Sequence, residues 1–177
     1  MFVITSLFAQ KKYSVEATSA QLSLEGKSLT GYRTNFDFAW EDVRKGWWKY
    51  AREFANPLNM KTYYKVTVPS SNTDGNVDLE IFTQSSDGQG GTDFFLGLEN
   101  EKYKDQALSM LLDFKKEFYI NDLLKQIASN QSESDKLSSA YRDTVIESER
   151  QKYLGQIKEL EEANLSLKEQ IKQIEKS

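Results

Sequence analysis

From Leu137 to Ser177 the chain carries no proline and a single glycine, Gly155, among runs of Glu, Lys, Gln and Leu. A stretch of that composition contains nothing that stops a helix and little that weakens one, so the spacing predicts helix to the C terminus. Setting Ile157 at heptad position a places Leu160, Leu167 and Ile174 at d, with Asn164 and Ile171 at the next two a positions. Tyr153 and Ile146 continue the d register upstream, whereas Arg150 and Asp143 fall at a and weaken it. Such a seam must be covered by another helix. The expected cover is a second copy, in a parallel two-stranded coiled coil selected by Asn164. The alternative is a helix folded back on its own domain, for which Leu137, Tyr141 and Val145 offer another stripe.

Residues 11–128 read as one globular domain, residues 129–136 ("SNQSESDK") as a polar hinge or a solvated helical turn, and residues 137–177 as the helical extension. "KYSVEATSAQLSLEGKSLTGYRTNFDF" alternates apolar and polar residues around Glu25-Gly26-Lys27, with Leu22 and Leu24 on one strand face and Tyr32, Phe36 and Phe38 sharing another. That predicts a hairpin. From Trp40 to Phe54 the spacing turns helical: Trp40, Val43, Trp47, Tyr50, Ala51 and Phe54 fall within one arc, and Glu41 and Asp42 suit the first turn. "NPLN" at Asn56–Asn59 stops this helix. Three strands, "MKTYYKVTV", "NVDLEIFTQ" and "TDFFLGL", follow; their short polar connections require antiparallel pairing. A helix from about Glu101 to Ala128 has an apolar surface wider than one stripe. The expected fold is α+β: a two-layer domain with an antiparallel sheet, in the order β-β-α-β-β-β-α, followed by a long C-terminal helix or coiled coil.

Zero His and zero Cys narrow the chemistry further. A Ser-His-Asp triad, a Cys nucleophile, a Cys/His zinc site and a disulfide cannot be built. Carboxylates remain, but no acid/base pair stands out, so neither catalytic residues nor a cofactor or metal is expected. The net charge of -4 offers no concentrated basic surface for nucleic acid. At the N terminus "MFVITSLFAQKKY" has an apolar run from Phe2 to Phe8 ending in Ala9, which resembles the end of a bacterial secretory signal; residues 1–10 are read as a truncated leader, too short for stable membrane insertion.

Two adjacent tryptophans in "VRKGWWKYAREF" cannot both sit in one buried stripe. Trp47 lies near the centre of the arc and is assigned to the core. Trp48 falls at its margin, one turn from Arg44 and Arg52, where it either covers the core rim or anchors a partner with those arginines supplying polar contacts. "SSNTDGNVDLE" departs from a calcium loop, with Ser70 in the place of the first Asp and Ile81 in that of the bidentate Glu, and reads as a hairpin turn at Asp74-Gly75. "DGQGG" lacks the Lys and Ser/Thr of a phosphate loop.

These features point to a non-enzymatic protein-interaction module of the bacterial envelope, periplasmic or secreted. Its candidate partner-binding residues are Trp48, Arg44 and Arg52, and it would be dimerised or tethered through Ile157, Leu160, Asn164, Leu167, Ile171 and Ile174. The alternative is a small hydrophobic-ligand binding domain with an aromatic cavity lined by residues such as Tyr63, Phe82 and Phe94. A carboxylate-dependent hydrolase is the third reading.

Overall fold

The computed structural model describes residues 13–72, 77–88 and 90–177 of the chain; the expected leader lies outside them. Six strands form one antiparallel sheet: β1 (Thr18–Leu24), β2 (Lys27–Phe36), β3 (Asn56–Asn59), β4 (Tyr64–Val68), β5 (Leu79–Gly88) and β6 (Gly91–Leu98), in the order β1-β2-β6-β5-β4-β3. Helix α1 (Trp40–Ala51) connects β2 to β3, and α2 (Lys104–Asp143) and α3 (Glu147–Lys176) follow the sheet. The α+β class and the order of strands and helices are those expected from the sequence, with one strand added. That strand is β3, the "NPLN" segment. Pro57 lacks an N–H, which a sheet tolerates on an edge, and β3 is an edge strand.

The chain divides into two compact units, residues 1–114 and 115–177. In the first, the registers Thr34↔Phe94, Tyr32↔Leu96, Thr83↔Leu96, Val66↔Ile81 and Tyr64↔Thr83 put these side chains on one face of the sheet, because directly paired residues project to the same side. Helix α1 lies against β5, β6 and β3 on that face. Val43, Trp47 and Ala51, spaced four apart, are fully buried. Phe36, Phe94, Trp47 and Phe114 pack ring against ring, with centroids 5.2–5.9 Å apart.

The other face carries a smaller core of Leu29, Tyr63, Phe82 and Phe95, against which Ala20, Leu22 and Leu24 of β1 pack. A Cβ on Gly97 would lie 2.5 Å from the Phe95 ring, so the ring occupies the space a side chain there would take. The β1–β2 hairpin leans over this core. Its two turn residues, Glu25 (φ 50) and Gly26 (φ 79), both have positive φ, as a type I′ turn requires. The Tyr63 hydroxyl donates to Glu25 Oε2 at 2.9 Å, and Lys27 pairs with Glu99 at 2.5 Å while lying over the Phe82 ring.

The second unit is an antiparallel helical hairpin formed by the rest of α2 and by α3. Asn130 Nδ2 donates to Asn164 Oδ1 at 2.9 Å, and Arg150 Nε donates to the Thr144 carbonyl at 3.0 Å. Equal steps outward from the Asn130–Asn164 pair bring Leu160 level with Ser134, Leu167 with Ile127, Ile171 with Leu123 and Ile174 with Ile120. Of the two readings of residues 129–136, hinge or helical turn, the structure has the helical one, inside α2, and the break between the helices falls at 144–146. "SNQSESDK" holds no Gly or Pro, and two of its residues join the seam: Asn130 is paired and Ser134 is buried. Tertiary contacts there offset the weak helix preference of Ser and Asn. Among the described residues no helix is long and apolar enough to cross a membrane.

Candidate functional site

Of the three residues expected to receive a partner, Arg44 is committed within the fold. Its Nε donates to the Tyr64 hydroxyl at 2.9 Å, and its Nη2 donates to Asn59 Oδ1 at 2.8 Å and to the Lys61 carbonyl at 2.9 Å. The guanidinium lies 4.8 Å from the Tyr64 ring centroid and 5.7 Å from that of Trp40. Asn59 Oδ1 also accepts the Lys61 N–H, and Lys61 holds φ 72, so one arginine pins α1 to a strained β3–β4 connection. Trp48 is half-buried with its ring 5.2 Å from that of Tyr64. Arg52 is exposed at the C-cap of α1. The three residues therefore occupy one flank of α1, where Arg44 and Trp48 both meet Tyr64.

The aromatic residues named for a ligand cavity are separated by the sheet. Tyr63 and Phe82 belong to the core beneath the β1–β2 hairpin, their rings 6.2 Å apart, whereas Phe94 lies on the opposite face against Trp47. Alternation along β6 makes this unavoidable, since Phe94 and Phe95 are neighbours and only Phe95 shares the side of Phe82. Among the described residues no cluster of three or more Asp or Glu side chains is arranged to hold a metal ion.

On α3, Ile157, Leu160, Asn164, Leu167 and Ile171 are half-buried and Ile174 is buried, so the heptad positions do face a helix. In this chain that helix is α2. The consequence is a hairpin that half-buries its own seam and leaves Leu124, Leu154 and Leu165 on the helices and Val145 and Ile146 at the turn exposed, Val145 the most of all.

That turn is a surface that helical periodicity does not mark. The Thr144 N–H donates to the Ala140 carbonyl, its hydroxyl donates to Glu149 Oε2 at 2.6 Å and accepts the Ile146 N–H, and its carbonyl accepts from Arg150. The Arg150 guanidinium also lies over the Tyr141 ring at 5.6 Å. Every polar group of Thr144 is thus engaged in holding the turn. Val145 and Ile146, by contrast, are 90% and 52% exposed. The signal in the sequence was a β-branched run, Thr144-Val145-Ile146, inside a stretch of strong helix formers. Comparison with protein-family models, curated proteins and solved structures returns no match.

Proposed function

We propose that the chain is a non-enzymatic protein-interaction module that presents the α2–α3 turn to an apolar pocket on a partner protein. The observation that carries this reading is the exposure of Val145 and Ile146 on a turn tied by four hydrogen bonds through Thr144. Burying what is exposed of these two side chains is worth about 2 to 4 kcal/mol before the costs of association, because Ile146 is already half covered. Those costs are low here, because β-branched side chains have few rotamers to lose and the backbone is already ordered. Trp48 and the exposed Arg52 form a second, weaker contact surface on α1. The apolar run before Ala9 supports export to the bacterial envelope or beyond as the setting.

A photo-crosslinking amino acid placed at Val145 in the full chain, expressed in the producing cells, tests this directly. A discrete adduct from position 145, absent from control positions Ser138 and Gln170 on the same hairpin, is the expected result. Equal adducts from all three positions, or none from 145, would remove the turn as the contact point.

A further inference from the structure

The two edges of the sheet are unlike. β3 is four residues long and carries Pro57, the usual means of keeping an edge from pairing with another chain. β1 is seven residues long, "TSAQLSL", with no proline and no charged side chain. Among the described residues its only bonded neighbour is β2.

The turn geometry says which backbone groups β1 leaves open. In a two-residue type I′ hairpin the flanking residues, Leu24 and Lys27, form a hydrogen-bonded pair, so the N–H and C=O of Leu24 point inward to β2. Alternation then directs the groups of Leu22 and Ala20 inward as well, and those of Ser19, Gln21 and Ser23 outward. A strand laid on this edge must offer its own outward-facing groups at matching steps.

We infer that the occupant of this edge is a second copy of the chain, joined β1 to β1 in antiparallel fashion about a two-fold axis at Gln21. In that register Gln21 faces Gln21 of the second copy and Ser19 faces Ser23, so every outward donor and acceptor meets its complement. No like charges are opposed, because β1 has none. The rotation keeps faces together. Leu22 and Leu24 of both copies stay on the side of the Phe82–Phe95 core, and the two sheets become one. This inference is independent of the turn at Val145.

Charge pairing across the axis tests it on the full chain. Ser19 and Ser23 are exposed, so the double variants S19E/S23E and S19K/S23K should keep the fold by circular dichroism. Sedimentation should show a wild-type dimer, and each variant alone should dissociate about tenfold more readily, because two like-charged pairs then face each other. An equimolar mixture of the two variants should restore the dimer as a heterodimer. The inference is overturned by a monomeric wild type at micromolar concentration, which would leave the edge to an extended segment of another protein. It is equally overturned by variants that remain dimeric, which would place self-association elsewhere, or by a mixture that fails to reassociate.

Discussion

Asn130 and Asn164 meet across the α2–α3 hairpin, amide to amide, at 2.9 Å. Sequence spacing pairs Asn164 with its own counterpart in a second chain; in the structure its partner comes from the same chain. The pair fixes register, because a slip along either helix would leave a half-buried amide without a partner. Removing one side should therefore be worse than removing both. Asn164→Leu alone is expected to cost about 1 kcal/mol, whereas Asn130→Leu with Asn164→Leu should match or exceed wild-type stability through added apolar burial. Thermal denaturation of both single variants and the double variant gives the coupling. Simple additivity would mean the amides do not act as a pair.

The adjacent tryptophans should differ sharply. Trp47 is wholly buried among Tyr50, Phe94 and Phe114, so Trp47→Ala should cost about 3 to 5 kcal/mol. Among the described residues its Nε1 meets no hydrogen-bond acceptor. Trp47→Phe should accordingly be much milder than its lost volume suggests, since it also removes an unsatisfied buried donor. Trp48→Ala gives up one half-exposed ring contact with Tyr64 and should cost about 1 kcal/mol. Denaturant midpoints for the three variants check the ranking, and equal losses for the two alanine variants would contradict it.

Arg44 should resist conservative exchange. Its hydrogen bonds reach the Tyr64 hydroxyl, Asn59 and the Lys61 carbonyl from two nitrogens of one planar group. An ammonium cannot span that set while stacked on Tyr64. Arg44→Lys is expected to lose about 1 to 2 kcal/mol and to raise amide exchange at Met60–Tyr63 specifically. A lysine variant as stable as wild type would show that the fork geometry is not what holds this turn.

What was legible in the sequence follows from what a pattern can encode. Alternation in β1 and β2 and the arc of α1 are written as one-dimensional periods, and short polar connections bound the later strands, so the class and order of elements are readable. A heptad stripe states that a helix must be covered but not by what, and α2 concealed its half of the seam behind Asn130 and Ser134. β3 was hidden for a related reason: four residues around Pro57 carry a breaker signal, and only the neighbouring β4 makes a strand of them. Spacing puts Arg44 one turn from Trp48, yet its partners come from Asn59, Lys61 and Tyr64, a set no spacing rule connects to α1. Val145 continues the Leu137–Tyr141 stripe and Ile146 the heptad register of α3, so periodicity alone does not mark the turn where α2 ends at Asp143 and α3 begins at Glu147.

The β1–β2 hairpin should loosen on the alkaline side. The hydrogen bond to Glu25, aided by burial and by the charge of that carboxylate, holds the Tyr63 phenol above its usual pKa. The hydrogen bond to Glu99 holds Lys27 above its own usual value, with burial partly opposing it. For both groups the folded pKa exceeds the unfolded one, so each contribution is fully present below the unfolded pKa and is lost as pH rises through the folded pKa. The window therefore opens above about pH 10. Wild-type stability should fall more steeply there than that of a chain carrying Tyr63→Phe and Lys27→Met, although the double variant starts from a lower value at neutral pH. Denaturation curves across that range, with phenolate absorbance followed in parallel, separate these two groups from the other tyrosines and lysines. Identical alkaline slopes for wild type and variant would mean that the Glu25 and Glu99 contacts do not restrain the hairpin.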